Sequence, residues 1–252
     1  MRFTHFFFLL YFLIFLNCKE QQLKLTKIEG NQIQISDSLI SDSDIEAFIK
    51  PYRDHLQKKI DSVLTYSKGD YLKTDGAFNT AIGNFMADAV YDRANPVFKS
   101  RTGHDIDMVL LNHGGIRSSI SKGNITIKTA YELMPFENSI VVVELKGYQI
   151  ENLVSYLIQS KQAHPVSKIK LAIDKNFNLI DYQIKGNKVD VNKTYYVATN
   201  DYLYNGGDNM TFFKPTDSLY VLNYKIRNAI IDTFIENDTI NPVVDDRFIQ
   251  IN

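Results

Sequence analysis

"LLNHGGIRSSISKGNITIKTAYELMPFENSIVVVELKGYQI", residues 110–150, is the stretch on which the fold class turns. Its two leucines close an apolar run that begins in "DIDMVLLN" and reads as a buried strand. "ITIKTAYELMPF" predicts a short strand and a helical turn stopped near Pro135. "SIVVVELKGYQIENLVSYLIQS" predicts a strand, a turn at Gly147 and a helix. Between the first two elements lies a polar loop that carries Asn112, Gly114, Gly115 and Arg117. Gly-Gly is an ordinary turn signal. The same loop also suits a backbone that approaches a ligand closely, with Arg117 gripping an anion.

Working outward, Ile45, Phe48, Ile49, Tyr52, Leu56, Ile60 and Val63 or Leu64 recur at helical spacing, with Ser41 or Ser43 as the cap and Pro51 as a bend. "KIEGNQIQIS" before it shows weak strand alternation. "NTAIGNFMADAVYDRA" reads as a second helix, "KIKLAID" and "LIDYQIKG" as a hairpin around Asn176, and "TYYVATN" as a strand. "YKIRNAIIDTFIEN" is a late helix and "RFIQIN" a last strand. Helices and strands alternate irregularly, which predicts an α+β (mixed α/β) domain with a mixed sheet flanked by helices.

The length, 252 residues, permits one large or two small domains, and 44% hydrophobic with 23% charged residues is a globular balance. A formal net charge of -1 supplies no field to recruit a nucleic-acid polymer. At the N-terminus Arg2 precedes an apolar run from Phe6 to Leu16, too short to span a bilayer comfortably and suited to a secretory signal. The one cysteine, Cys18, stands just beyond it. This predicts a bacterial lipoprotein signal peptide over 1–17, lipidation of Cys18, a tether over 18–42 and a folded domain over 43–252. The cell envelope, at the outer membrane or the periplasmic face, is the expected location. Without lipidation the chain is secreted.

Three loops share one design. They are Asn112–Arg117, "MPFENS" at 134–139 and "NDYLYNGGDN" at 200–209. Each borders a predicted strand, where α/β folds place ligand sites. Arg117 offers a planar cationic fork. Phe136 and Tyr202 are aromatics on loops. Asp208, after Gly206 and Gly207, is an acceptor for sugar hydroxyls, and Asn112 and Asn138 are both donors and acceptors. Singly, each has a plainer role: a salt bridge for Arg117, core packing for the aromatics, a solvated turn for Asp208. Jointly they are the parts a nucleotide needs.

The stretch from Asn112 to Ile150 resembles the C-terminal domain of the 5'-nucleotidase / UDP-sugar hydrolase / 2',3'-cyclic phosphodiesterase family. The resemblance rests on the N-x-G-G-I-R loop (Asn112–Arg117), the Gly-x-Ile-Thr segment (Gly123–Thr126), P-F-x-N (Pro135–Asn138), the apolar strand ending at Gly147, the later "YLYNGGDN" and the helix "IGNFMADAV". It covers roughly residues 43 to 252. It implies that Phe136 and Tyr202 sandwich a base, that Asp208 holds the ribose, and that Arg117 and Asn112 contact the phosphate side and polar base or sugar atoms. Asn138 fills the P-F-x-N position. Further arginines common before the Gly-Asn helix are absent, and Lys68 and Lys73 stand in that region. The helix from about 43 to 64 resembles the long connector that precedes this domain.

The family's N-terminal half is a metallophosphatase with two metal ions. Its signatures, D-x-H, G-N-H-[DE] and G-H-x-H, do not occur in these 252 residues, and His55, His104, His113 and His164 are scattered. No catalytic residue, metal ligand or cofactor is therefore assigned to the chain. Phosphoester hydrolysis calls for a metal-activated water, so a separate metallophosphatase chain is expected to supply divalent metal. The expected function is nucleotide or nucleoside recognition within a 5'-nucleotidase system. A non-catalytic cell-surface binding protein is the alternative, and an enzyme with its own unrecognised site is a third reading.

Overall fold

The computed structural model describes residues 24–216 and 218–251. The signal peptide expected over 1–17 and the lipidation expected at Cys18 fall outside the described residues. The chain divides between Ile49 and Lys50 into two compact units, and each is taken by itself. In the first, residues 24–42 form no strand, and Ile28, Ile33 and Ile35 are exposed. The alternation there fails because a lone extended segment leaves its N–H and C=O groups without a ladder. Helix α1 (Ser43–Ile60) starts where Asp42 Oδ1 accepts from the backbone N–H groups of Asp44 and Ile45, at 2.9 and 3.1 Å. Asp42 is thus the cap, in place of Ser41 or Ser43, because its carboxylate reaches two of the orphan donors at once.

In the second unit, α1 ends at Ile60 and strand β1 (Val63–Ser67) takes up Val63 and Leu64, which the helical spacing had included. Helix α2 (Ala81–Thr102) is capped by Thr80, whose hydroxyl accepts from Gly83 N–H, and stops at Gly103 in the left-handed region (φ 79°). It continues past Asn95-Pro96, beyond its expected end at Ala94, with Phe98 fully buried. The other elements are β2 (Met108–Leu110), β3 (Gly123–Thr126), α3 (Ile127–Leu133), β4 (Ser139–Lys146), α4 (Gly147–Ser160), β5 (Val166–Ser167), β6 (Ile169–Ile173), β7 (Leu179–Ile184), β8 (Asn187–Lys188), β9 (Thr194–Asn200), α5 (Asp201–Tyr204), β10 (Leu219–Lys225), α6 (Ile226–Glu236), β11 (Thr239–Ile240) and β12 (Phe248–Gln250).

The central sheet runs β10-β4-β9-β2-β5. β2 and β9 are parallel, while β4 is antiparallel to both β9 and β10, so the sheet is mixed as expected. The hairpin forms between β6 and β7, and β12 extends it in parallel to β6. A third sheet runs β11-β1-β3. Side chains alternate across β4. Ile140 and Val142 enter one core with Val90 and Phe98 of α2 and Ile230 and Phe234 of α6. Val141, Val143 and Leu145 enter a second core with Ile150, Leu153 and Leu157 of α4 and Leu171 of β6. A strand buried on both faces reads as the continuous apolar run seen in the sequence.

Gly147 joins β4 to α4. Its N–H donates to Lys193 O at 2.9 Å, and a Cβ there would lie 2.2 Å from Asp190 O and 2.4 Å from Val191 Cα. Both obstacles are backbone and cannot rotate away. Gly147→Ala is expected to lower stability by about 1–3 kcal/mol or more through overpacking. Urea unfolding checks this, and an unchanged midpoint would refute it.

Candidate functional site

Strand direction brings the three loops together. β2 and β9 run parallel, with Met108 opposite Val197, so their C-terminal ends share an edge. β4 runs the other way, with Ile140 opposite Asn200, so its N-terminal end meets them. The loop after β2, the loop before β4 and the loop after β9 therefore converge. They enclose a cavity of about 380 Å³ lined by Asn112, Gly114, Arg117, Phe136, Asn138, Tyr202 and Asp208. Phe136 is 43% and Tyr202 46% exposed, so neither ring is spent in the core. The Arg117 guanidinium lies 5.8 Å from the centroid of the Phe136 ring. Lys73 Nζ donates to the carbonyl of Ile116 at 3.2 Å, next to Arg117, while Lys68 is exposed.

Gly115, Gly206 and Gly207 do not line the cavity; they shape its walls. His113–Gly115 is a single 3₁₀ turn in which neither glycine takes a positive φ. What Gly115 provides is room: a Cβ there would lie 3.1 Å from Asn112 Oδ1. Gly206 takes φ 93°, a conformation that favours glycine. Gly207 lies under the Tyr202 ring, where a Cβ would come within 2.4 Å of a ring carbon.

Side chains outside the predicted set hold each loop. Arg227 of α6, 4% exposed, donates from Nη1 to the carbonyls of Pro135 at 3.1 Å and Phe136 at 3.3 Å, and pairs through Nη2 with Glu137. Lys225 Nζ donates to Glu137 O at 2.6 Å. Asp201 Oδ1 accepts from Asn138 Nδ2 at 3.1 Å and from the N–H of Tyr202 at 3.0 Å, tying the second loop to the third. Tyr202 Oη donates to Asp208 Oδ1 at 2.8 Å, and Tyr156 Oη of α4 donates to the carbonyl of Asp208 at 2.8 Å. The bond to Asp208 pushes the Tyr202 phenol above its ordinary value. The one sequence signal for Arg227 was a cation on the apolar face of "YKIRNAII". Asp201 and Tyr156 gave none, because their partners are distant in sequence.

Two histidines meet behind the first loop. The backbone N–H of His113 donates to His164 Nδ1 at 3.2 Å, and His113 Nδ1 lies 3.2 Å from the carbonyl of Ala163. His164 is 3% exposed, against the Tyr156 ring, and its Nε2 has no partner among the described residues. Burial, then the neighbouring His113, lowers its pKa to about 4. No group of three or more His, Cys, Asp or Glu that could hold a metal is found among the described residues. The site's chemistry is therefore an exposed guanidinium, two half-exposed rings, two amides and a carboxylate around one cavity.

The model of the family "5'-nucleotidase, C-terminal domain" matches residues 62–215. The trifunctional nucleotide phosphoesterase protein YfkN of Bacillus subtilis is 28% identical over 174 residues, 58% of this chain and 11% of that protein. The cell wall protein Lmo0130 of Listeria monocytogenes is 27% identical over 204 residues, 71% of this chain and 25% of that protein. The 5'-nucleotidase precursor of Thermus thermophilus shares the fold with a TM-score of 0.69 at 23% identity, over 82% of this chain and 43% of that one. The chain thus spans less than half the length of each of these proteins.

The depressed pKa of His164 carries a sign. Unfolded, the ring titrates near its ordinary value of 6.5, and folded near 4. Between those values the unfolded chain binds more protons, so stability rises with pH across this window and is lost on acidification. The loss is about 3 kcal/mol from pH 6.5 down to 4. In His164→Gln that part of the pH dependence should disappear. Denaturant unfolding from about pH 7 to about pH 4 measures it, and an unchanged pH slope in the variant would show that His164 is not the group responsible.

Proposed function

The chain belongs to the 5'-nucleotidase C-terminal domain family, and on that premise we propose that its cavity binds a nucleoside or nucleotide. The observation that carries this is the meeting of Phe136, Tyr202, Arg117 and Asp208 around one space of about 380 Å³, a size suited to a small-molecule ligand. In this reading the base lies between the Phe136 and Tyr202 rings. Asp208 accepts from the ribose, and Arg117 faces the phosphate. Asn112 and the carbonyl end of Asn138, whose amino end is held by Asp201, take the remaining polar atoms. Gly114 and the turn behind it leave the backbone low enough for the ligand to approach.

Hydrolysis then needs a metal-activated water. We place its source in a metallophosphatase unit outside these 252 residues, a separate chain in this reading. Cell-surface capture without hydrolysis is the second reading, favoured by the lack of metallophosphatase signatures within the sequence. Calorimetric titration separates contact from packing. Phe136→Ala should weaken adenosine and AMP alike, by about 1–3 kcal/mol. Arg117→Ala should cost about 1.5–3 kcal/mol for AMP and leave adenosine nearly unchanged. Bound AMP should not be turned over by the chain alone with added Mn, Zn or Co. Full adenosine affinity in folded Phe136→Ala would return the ring to a packing role, and turnover on the order of 1 per second would give the chain its own active site.

We also propose that Cys18 is lipidated and holds the protein at the cell envelope. Among the described residues no helix is long and apolar enough to cross a membrane, and an acylated cysteine supplies anchoring by another route. Cys18→Ser should move the protein from the membrane to the soluble fraction. Unchanged membrane association would rule out this anchor.

A further inference from the structure

The proposed ribose acceptor is already in use. Tyr202 Oη donates to Asp208 Oδ1 at 2.8 Å, so half of the carboxylate is engaged before any ligand arrives. Oδ2 accepts no hydrogen bond among the described residues. The engaged arrangement is held from several sides. The Tyr202 ring rests on Gly207, where even a methyl group would collide with it. Its backbone N–H is taken by Asp201. Asp208 stands in the left-handed region (φ 51°), followed by Asn209 (φ 59°), and its carbonyl is fixed by Tyr156. A non-glycine residue in that region is held there by its surroundings. These contacts hold the backbone of both partners in place.

We infer that the Tyr202 hydroxyl makes the pocket read one ribose hydroxyl instead of two. The inference rests on the nucleoside reading above. A carboxylate with both oxygens open accepts a vicinal diol through both of them, one hydroxyl on each. Here one hydroxyl meets Oδ2, and the other must share Oδ1 with the phenol, whose bond takes up one of that oxygen's lone pairs and weakens it as an acceptor. A hydroxyl that gains only a weakened bond is selected for weakly, because removing it leaves no protein group unpaired. The pocket then accepts one class of deoxyribonucleoside, lacking either the 2'- or the 3'-hydroxyl, nearly as readily as the ribonucleoside. Tyr202 is in this sense a specificity-determining residue that acts through Asp208, in addition to its stacking role.

The test is calorimetric titration of the full chain with adenosine, 2'-deoxyadenosine and 3'-deoxyadenosine, in the wild type, Tyr202→Phe, Asp208→Asn and the double variant. Phenylalanine keeps the ring and removes only the hydroxyl. In the wild type, removal of one hydroxyl should change Kd by less than about 3-fold, and removal of the other by about 10-fold, the scale of one hydrogen bond to a charged group. In Tyr202→Phe both removals should cost about 10-fold. In the Asp208→Asn background Tyr202→Phe should leave the ribo-to-deoxy ratios unchanged, since the phenol acts through the carboxylate. These are ratios within one protein, so a general loss of stability does not move them. Should Tyr202→Phe fold poorly, the wild-type ratios alone decide, because two penalties mean two hydroxyls are read. Two penalties in the wild type, or identical ratios in wild type and Tyr202→Phe, overturn the inference. Adenosine binding with no penalty for either deoxy form removes Asp208 from the ribose. Failure of all three ligands to bind overturns the nucleoside reading itself.

Discussion

The antiparallel pairing of β4 with β9 is the constraint on which the site depends. It places Ile140 opposite Asn200, and with that one register the loop before β4 lies beside the loop after β9. A slip of one residue would turn every side chain of β4 to the other face. Ile140 and Val142 would exchange cores with Val141 and Val143, and each core is packed with side chains that fit only the present order. The register is thus specified by burial on both faces. The geometry of Phe136 against Tyr202 is a consequence of core packing some distance away.

Once the loops are adjacent, polar side chains at their backs set the shape. Arg227 is buried, and its two terminal nitrogens are spent on the carbonyls of Pro135 and Phe136 and on Glu137, while Nε has no partner among the described residues. A buried cation paired in this way rigidifies what it touches, whereas loss of its carboxylate partner would leave a buried unpaired charge at a cost of several kcal/mol. His164 holds its loop without charge, accepting the N–H of His113 through Nδ1. Its depressed pKa keeps it neutral, and a protonated ring would lose that acceptor. Two loops are thus held by one charged and one neutral residue, each behind the cavity and neither lining it.

Much of this was legible in the sequence, and the failures have physical reasons. The mixed α+β class, the β6–β7 hairpin and helices α2, α4 and α6 follow from periodicity and turn residues. The seven cavity-lining residues were all named from loop chemistry. β10 escaped because Leu219 and Val221 are apolar on its exposed face, so burial that alternates along the strand leaves no alternation in the sequence, and its register shifts between Val221 and Lys225. β1 was absorbed into the preceding helical spacing because Val63 and Leu64 continue the stripe, and spacing alone cannot see a strand partner. Arg227, Asp201, Tyr156 and His164 stayed hidden for the same reason, since each acts on a loop far away in sequence. The Gly-Gly pair does form a turn, the 3₁₀ turn His113–Gly115, without a positive φ at either glycine, and the room that Gly115 leaves for Asn112 is a contact that the sequence does not show.

The division between residues that line the cavity and residues that hold its loops bears on how such a pocket serves a reaction. A recognition unit that grips substrate and transition state equally lowers the concentration needed for binding and leaves the chemical step unchanged. It accelerates the step only by fixing where the phosphorus sits relative to the activated water, and misplacement of about 1 Å costs on the order of 100-fold. On the proposed reading, the residues that would touch the ligand are then the less demanding part of the design. Stacking on Phe136 would tolerate sliding, and a guanidinium fork would tolerate small shifts of a phosphate. Position is set by groups that cannot slide: the buried Arg227 fork under the Pro135–Phe136 backbone, the His164 ring under the 3₁₀ turn, and the Asp201 carboxylate between Asn138 and Tyr202. In a nucleotide-binding role, the accuracy of this site resides in the side chains behind its walls, which the three loop motifs do not include.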